Sequence, residues 1–474
     1  MFQYLLLRSI CQIKHSLRLI KLNLRIRIAL LWLQHKNKGQ WWLPGKEDDK
    51  VSGILYYNPG ESLLLELIGN FKDELQDPFQ ELLNVHKIDV IYGQCPDGKD
   101  ITLFDAGCNL QRTFKADYPV ARYHPREIAI GLHLPSITEK RFFKAVIKIP
   151  ELSYWLYPGM LIQELITDND GNSYINLRMR HLTEKEQAAS KVRTGNDFRF
   201  TLQRCASYEG SEFLFEPSFK QFTVLKIEKP KNASFRAFYE QAVRYERFLS
   251  LAMLREVAYS ELALYCEDCI KRKVGDKIVY SPIIVDTIFH GKPSEKKIGT
   301  HYFLFNYNDI ENQYKSVVRK WFSRDRNFDA IKGHFLDAID YHGVFSYTFF
   351  LTVVQAIEGY ARRYKSEEAK QRKEVNGHNK ITLHDYIEAL LLEYKDVRKV
   401  NQKIDIAAIT QTRDYHSHLL EKPKKKKVEG EVLYELTNEL RRILVCCIMS
   451  YLGFSNKDID KFTWETSNSI FADR

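Results

Sequence analysis

The sequence predicts an α+β protein: an N-terminal β-rich antiparallel domain followed by a C-terminal all-α helical bundle. Two patterns carry that expectation. Up to about Pro230, short runs rich in β-branched and aromatic residues are punctuated by turn clusters such as Asn58-Pro59-Gly60-Glu61 and Pro96-Asp97-Gly98-Lys99. After Asp309 the apolar residues recur at three- and four-residue intervals and keep doing so. At 474 residues the chain is long enough for two or three domains, each with a sizeable core.

Residues 1–38 form a basic, amphipathic N-terminal extension, and the first 46 residues contain no acidic side chain. Leucine and isoleucine alternate there with Arg8, Lys14, Arg18, Lys21, Arg25 and Arg27. No apolar run approaches the ~20 residues a membrane span requires. A dispensable extension is the preferred reading over a membrane-surface or organellar-targeting helix.

A β-rich domain is expected over residues 39–308. Its strand–turn–strand units are Val51–Tyr57 with Ser62–Leu67, Val90–Cys95 with Ile101–Phe104, and Leu161–Ile166 with Ser173–Met179. Phe198–Arg204 and Phe222–Ile227 add further strands. Asp168-Asn169-Asp170-Gly171-Asn172 resembles a calcium loop, but Met179 stands where the bidentate glutamate belongs, so a plain turn is expected. Trp41 and Trp42 suit either a stacking platform or core packing, and core packing is preferred. Ser234–Cys269 reads as one helix, and Lys277–Phe289 and His301–Phe305 as late strands. Cys266 and Cys269 form a lone CxxC with no second pair at zinc spacing.

The helical bundle is expected over residues 309–474. Ile310–Phe322, Phe328–Ile339 and the aromatic-rich Tyr341–Tyr364 come first. The charged stretch Ser366–Asn379 reads as a solvated helix end or loop. Thr382 with Asp385 resembles a capping box that starts a helix through Val400. Ile404 to about Tyr415 and Glu429–Leu452 follow, the latter closed by Gly453.

Composition narrows the function classes. A hydrophobic content of 44% and a charged content of 28% are those of a soluble globular protein, and a net charge of +10 suits an anionic partner. The eight scattered cysteines make no disulfide framework and fit a reducing cytoplasm.

The stretch with chemical content is Thr412-Arg413-Asp414-Tyr415-His416-Ser417-His418. Histidine carries protons near neutral pH, and arginine grips phosphate oxygens with a planar fork that keeps its charge. In an unbroken helix, residues five apart lie roughly 140° apart around the axis. Arg413 and His418 would then not share a face. Either the helix ends between them, or the active unit borrows groups from a second chain. Spacing alone is weak evidence, since Arg8/His15, Arg126/His133 and Arg372/His378 have similar separations.

Arg413, a polar residue, three more residues and His418 fit the R-x(4–6)-H signature of the HEPN superfamily. The opening Gln40-Trp41-Trp42-Leu43-Pro44-Gly45, with Val51-Ser52-Gly53-Ile54-Leu55, resembles the N-terminal domain of ApeA-type antiphage proteins, which end in a HEPN domain. That resemblance implies a metal-independent endoribonuclease without cofactors, working as a homodimer in abortive infection. An N-terminal sensor would restrain it until a phage-derived trigger is met. It implies His418 as general base or acid, Arg413 as phosphate clamp and Asp414 as orienting group, with Glu358 and Tyr415 in support. The product would be a 2′,3′-cyclic phosphate. Lys424, Lys425, Lys426 and Lys427 would hold the RNA backbone. A non-catalytic HEPN scaffold that binds RNA or protein is the alternative.

Overall fold

Strands that alternate buried and exposed residues bury one face only, and closing such a sheet on itself removes its edges. The N-terminal part of the chain takes this solution. The structure, a computed structural model, describes residues 36–466 except 60–61, 72–86, 110–119, 157–160, 168–170, 172, 180–189, 210–217, 269–270, 275–276, 288–302, 340–345 and 419–425. The extension before Lys36 lies outside the described residues, and so do the Asp168–Asp170 part of the acidic turn, Cys269, Lys424 and Lys425.

The first strands are β1 (Lys36–Trp42), β2 (Val51–Asn58), β3 (Ser62–Ile68), β4 (Lys87–Gln94), β5 (Asp100–Asn109), β6 (Val120–His124) and β7 (Glu127–Ile130). Next come β8 (Phe142–Lys148), β9 (Leu161–Thr167), β10 (Ser173–Met179), β11 (Val192–Arg193), β12 (Arg199–Glu209) and β13 (Ser218–Ala233). The last are β14 (Glu261–Cys266), β15 (Lys271–Val274), β16 (Lys277–Tyr280) and β17 (Ile283–Thr287). The helices are α1 (Leu152–Trp155), α2 (Phe235–Met253), α3 (Tyr307–Ile310), α4 (Tyr314–Trp321), α5 (Arg326–Ile339) and α6 (Tyr347–Tyr364). They continue with α7 (Ser366–Val375), α8 (Leu383–Glu393), α9 (Ile406–His418), α10 (Gly430–Leu452) and α11 (Asn456–Glu465).

The chain forms two compact units. One takes the described residues of 1–145, 232–237 and 261–292, and the other those of 146–231, 238–260 and 293–474. In the first, β5 pairs with β4, β4 with β1, β1 with β2, β2 with β3, β3 with β6, and β6 returns to β5, every pairing antiparallel. That closes a six-stranded barrel. The barrel core is Trp41, Leu55, Leu65, Leu67, Ile91, Leu103 and Tyr123, all with no exposed surface. Besides β4, β5 serves two neighbours: Ile101–Phe104 pair with β7, and Gly107–Asn109 pair with β6. Between these stretches Asp105 takes a left-handed backbone, φ +54°, where the strand changes partner.

Both tryptophans of the opening motif are buried, which bears out the core reading. Gly93 makes room for Trp41: a Cβ there would lie 2.3 Å from the indole ring.

In the second unit β12 and β13 form a long antiparallel hairpin. α2 buries Phe238, Tyr245 and Phe248. Tyr245 and Tyr314 share a hydroxyl hydrogen bond of 2.9 Å, and burial drives the phenol pKa of each well up. Trp155 donates to the Phe305 carbonyl at 2.9 Å, and Phe305 in turn packs on Phe454 and Phe462.

The expected helix over Ser234–Cys269 stops at Met253. Leu254 has φ +49°, and Glu261–Cys266 pairs as a strand with β17. His301–Phe305 is not a strand where described. The Leu304 and Phe305 amides donate to the Ala252 carbonyl, at the end of α2, and Asn306 caps α3. Ser366–Val375, read as a helix end or loop, is a ten-residue helix with only Ala369 buried.

α6 is the centre of the helical bundle. Its buried residues include Phe350, Val353, Val354, Ile357, Tyr360 and Ala361, and it packs against α5, α7, α8, α9 and α10. A helix apolar over so much of its circumference must be surrounded. Thr382 and Asp385 form the expected capping box at α8, and Gly453 closes α10 with φ +100°.

Candidate functional site

α9 docks through Ala408, Ile409 and Thr412, which are buried. The Thr412 hydroxyl accepts from the Val428 amide at 3.0 Å and so fixes the end of the segment that follows α9. With that stripe inward, Arg413 lies on the flank of the helix and reaches α6. Its Nη2 donates to Glu358 Oε2 at 2.8 Å and its Nη1 to Asp414 Oδ1 at 3.0 Å. Glu358 also accepts from Arg362, one turn on, at 2.7 Å. The Arg413 side chain is 27% exposed and that of Glu358 15%, so the pair is partly withdrawn from water without being buried.

His418 is the last residue of α9 and is exposed. The helix runs from Arg413 to His418 without a break, so the two side chains leave it roughly 140° apart. Of the two routes the sequence left open, a helix end between Arg413 and His418 is therefore not the one taken.

His416 is the residue the sequence reading passed over. Three positions after Arg413, it shares that flank of the helix. Its ring stacks on Tyr347 at 3.8 Å between centroids and meets Tyr415 edge-on at 4.9 Å. Its Nε2 is buried without a hydrogen-bond partner among the described residues. Burial lowers the imidazole pKa below the usual value and the nearby Lys427 lowers it further, with Glu429 opposing. The signal was present: two histidines follow Arg413, and only one has i,i+3 spacing.

Tyr415 lies under Lys427, whose Nζ is 4.1 Å from the ring centroid. Lys427 also pairs with Glu429, which raises the lysine pKa and lowers that of the carboxyl. Lys426 is exposed, and its Nζ sits 3.5 Å from Asp405. Of the expected basic run, then, Lys427 is engaged within the protein and Lys426 is the more available.

The rival pairs have other duties. His378 Nδ1 contacts Asp385 Oδ1 at 2.8 Å, and Arg372 faces Glu388 at 3.8 Å. His133 stacks on Tyr92 beside the barrel. His384, Asp385 and Glu388 stand close enough to share a cation. Yet both Asp385 oxygens already accept hydrogen bonds, from Asn376, His378 and the Thr382 amide and hydroxyl, and Glu388 accepts from Asn376. Burial raises the Asp385 pKa, but these donors outweigh it and hold the carboxyl down at about 2. The cluster is a helix cap.

Among the described residues no helix is long and apolar enough to cross a membrane. A family model described as ApeA N-terminal domain 1 matches residues 36–321, and one described as Apea-like HEPN matches residues 351–458. No curated protein and no solved structure matches the chain.

Proposed function

Because the chain belongs to the ApeA family of antiphage proteins and carries an Apea-like HEPN domain, we propose that it is a metal-independent endoribonuclease effector of abortive infection. The observation that carries the reading is Arg413, held on α9 by Glu358 and Asp414 with its side chain still partly exposed.

In the proposed reaction a ribose 2′-OH attacks the adjacent phosphorus. The O2′–P bond forms, the P–O5′ bond breaks, and the products are a 2′,3′-cyclic phosphate and a 5′-hydroxyl. Arg413 clamps the phosphate oxygens and offsets the charge of the pentavalent transition state. His418 takes the 2′-OH proton or supplies one to the O5′ leaving group, a contribution of ~10²–10⁴-fold. Asp414 and Glu358 orient Arg413, and Tyr415 with Lys427 shapes the adjoining surface. Since Arg413 and His418 leave α9 in different directions, the working site is completed by a second copy of the chain. Lys424, Lys425 and Lys426 tune RNA affinity. The N-terminal half restrains the effector until a phage component engages it.

One observation favours a second reading, a non-catalytic RNA-binding or protein-binding scaffold: Arg413 is already neutralised by two carboxylates. Incubating purified protein with total RNA in EDTA separates the two. Cleavage leaving cyclic-phosphate ends, lost about 100-fold or more in both Arg413→Ala and His418→Ala, supports the enzyme. RNA binding without cleavage in the parent protein overturns it. A loss in His416→Ala but not in His418→Ala would transfer the proton-carrying role.

A further inference from the structure

Outside the α6/α9 site, the second unit holds a cavity of about 680 Å³ that adjoins one of about 480 Å³. The two share Asn196, Gln241, Arg244 and Arg324. Six arginines line the pair. Arg193 comes from β11, Arg244 and Arg247 from α2, Arg319 from α4, Arg324 from the α4–α5 connection, and Arg326 from the start of α5. Four separate elements and one connection thus deliver guanidinium groups to one concavity.

Their carboxylate partners are few. Asp197 pairs with Arg193 at 2.6 Å. Asp329 is held by Lys332 at 2.6 Å and lies 4.0 Å from Arg244. Glu240, the remaining acid of the lining, is exposed. Arg247, Arg324 and Arg326 pair with no carboxylate among the described residues. Arg319 Nε donates to the Arg193 carbonyl at 3.4 Å, and Arg244 lies over the Phe322 ring at 5.7 Å, which fixes two of the forks. Six guanidiniums against three carboxylates leave the lining with an excess of positive charge, which favours an anionic occupant.

We propose that this cavity binds a small ligand bearing a chain of two or more phosphates. A single carboxylate offers one charge to a lining of six guanidiniums, whereas a terminal phosphate brings about −1.5 to −2 and three strong acceptor oxygens. Arginine forks match phosphate oxygens in bidentate pairs. The volume is that of a small-molecule site, which favours a compact ligand over a nucleic-acid strand. The phosphate chain belongs to a nucleotide or to inorganic polyphosphate. This assignment stands whether or not the α6/α9 site cuts RNA.

The test is calorimetry on the full chain at about physiological salt, where loose surface attraction is screened. Four probes are used: ATP, tripolyphosphate, adenosine, and a short RNA with a 5′-hydroxyl. The expected result is saturable binding of ATP, no binding of adenosine, and a drop of at least about tenfold in Arg319→Gln/Arg324→Gln, the scale of one lost charged hydrogen bond. Arg247→Gln, an exposed position, gives an independent reading, and the melting temperature of each unliganded variant confirms that it is folded. Tripolyphosphate binding as well as ATP assigns the site to the phosphate chain alone; ATP alone assigns it to a nucleotide. The proposal is overturned if neither phosphate probe binds, if the variants bind as the parent does, or if the short RNA binds more tightly than both and loses that affinity in the same variants.

Discussion

The Glu358–Arg413 pair makes a quantitative prediction. Two unit charges about 4 Å apart near a protein surface interact by about 4 kcal/mol before any desolvation cost. Here both groups are mostly withdrawn from water, so the pair should retain more than the ~0–1 kcal/mol typical of an exposed bridge. Each partner also keeps a second contact when the other is removed: Arg413 retains Asp414, and Glu358 retains Arg362. That redundancy lowers the coupling to about 1–1.5 kcal/mol, below the upper end of charged hydrogen bonds. The experiment is a double-mutant cycle of Glu358→Gln, Arg413→Gln and the double variant, followed by urea unfolding of the helical signal. Glu358→Gln should also slow RNA cleavage by about tenfold, because 1.4 kcal/mol of lost positioning corresponds to that factor. A coupling within about 0.3 kcal/mol of zero would show that α6 does not hold the arginine, and the positioning role of Glu358 would go with it.

Three further outcomes follow from particular contacts. Asp385→Ala should cost about 2–4 kcal/mol, because Asn376, His378 and Thr382 lose a shared acceptor. The Asp385 carboxyl is held down at about 2, so its contribution is complete above the ordinary carboxyl pKa and is lost as pH falls toward 2. The stability gap between parent and variant should shrink over that window in acid unfolding. Gly93→Ala should destabilise the barrel by about 1–3 kcal/mol, since the new Cβ meets the fully buried Trp41 ring; near-UV circular dichroism and urea unfolding would report it. His416 should titrate below the ordinary imidazole range in NMR, and Lys427→Met should raise its pKa by removing a like charge, although burial remains the larger cause. A depressed histidine favours folding above the unfolded-state pKa and ceases to do so as pH falls through the folded value. Stability should therefore decline on acidification below about pH 6.5, and a His416 pKa above that would contradict the stacked, buried geometry.

Local pattern determined much of this protein. The alternation of Val51–Tyr57 and Ser62–Leu67, the turn residues between them, the capping box at Thr382 and the left-handed stop at Gly453 are short-range physics, and each lies where the sequence placed it. The Arg413–Glu358 ion pair is different in kind: it joins residues 55 positions apart on two helices and exists only because they pack. The two-part family architecture was legible in the opening tryptophans and the closing arginine–histidine stretch, and the family models match both parts. Tertiary structure alone decided the rest. Closure of the barrel depends on β6 returning to β5 from the far side of β3, a pairing that no local window contains. The helix expected over Ser234–Cys269 was cut at Met253 because β17 supplies Glu261–Cys266 with a strand partner, and propensity yields to a completed ladder. The continuity of α9 through His418, the stacking of His416 on Tyr347, and the convergence of six arginines from distant segments are likewise set by packing. Side-chain chemistry is written residue by residue, but which groups meet depends on how elements far apart in the chain bury their apolar faces.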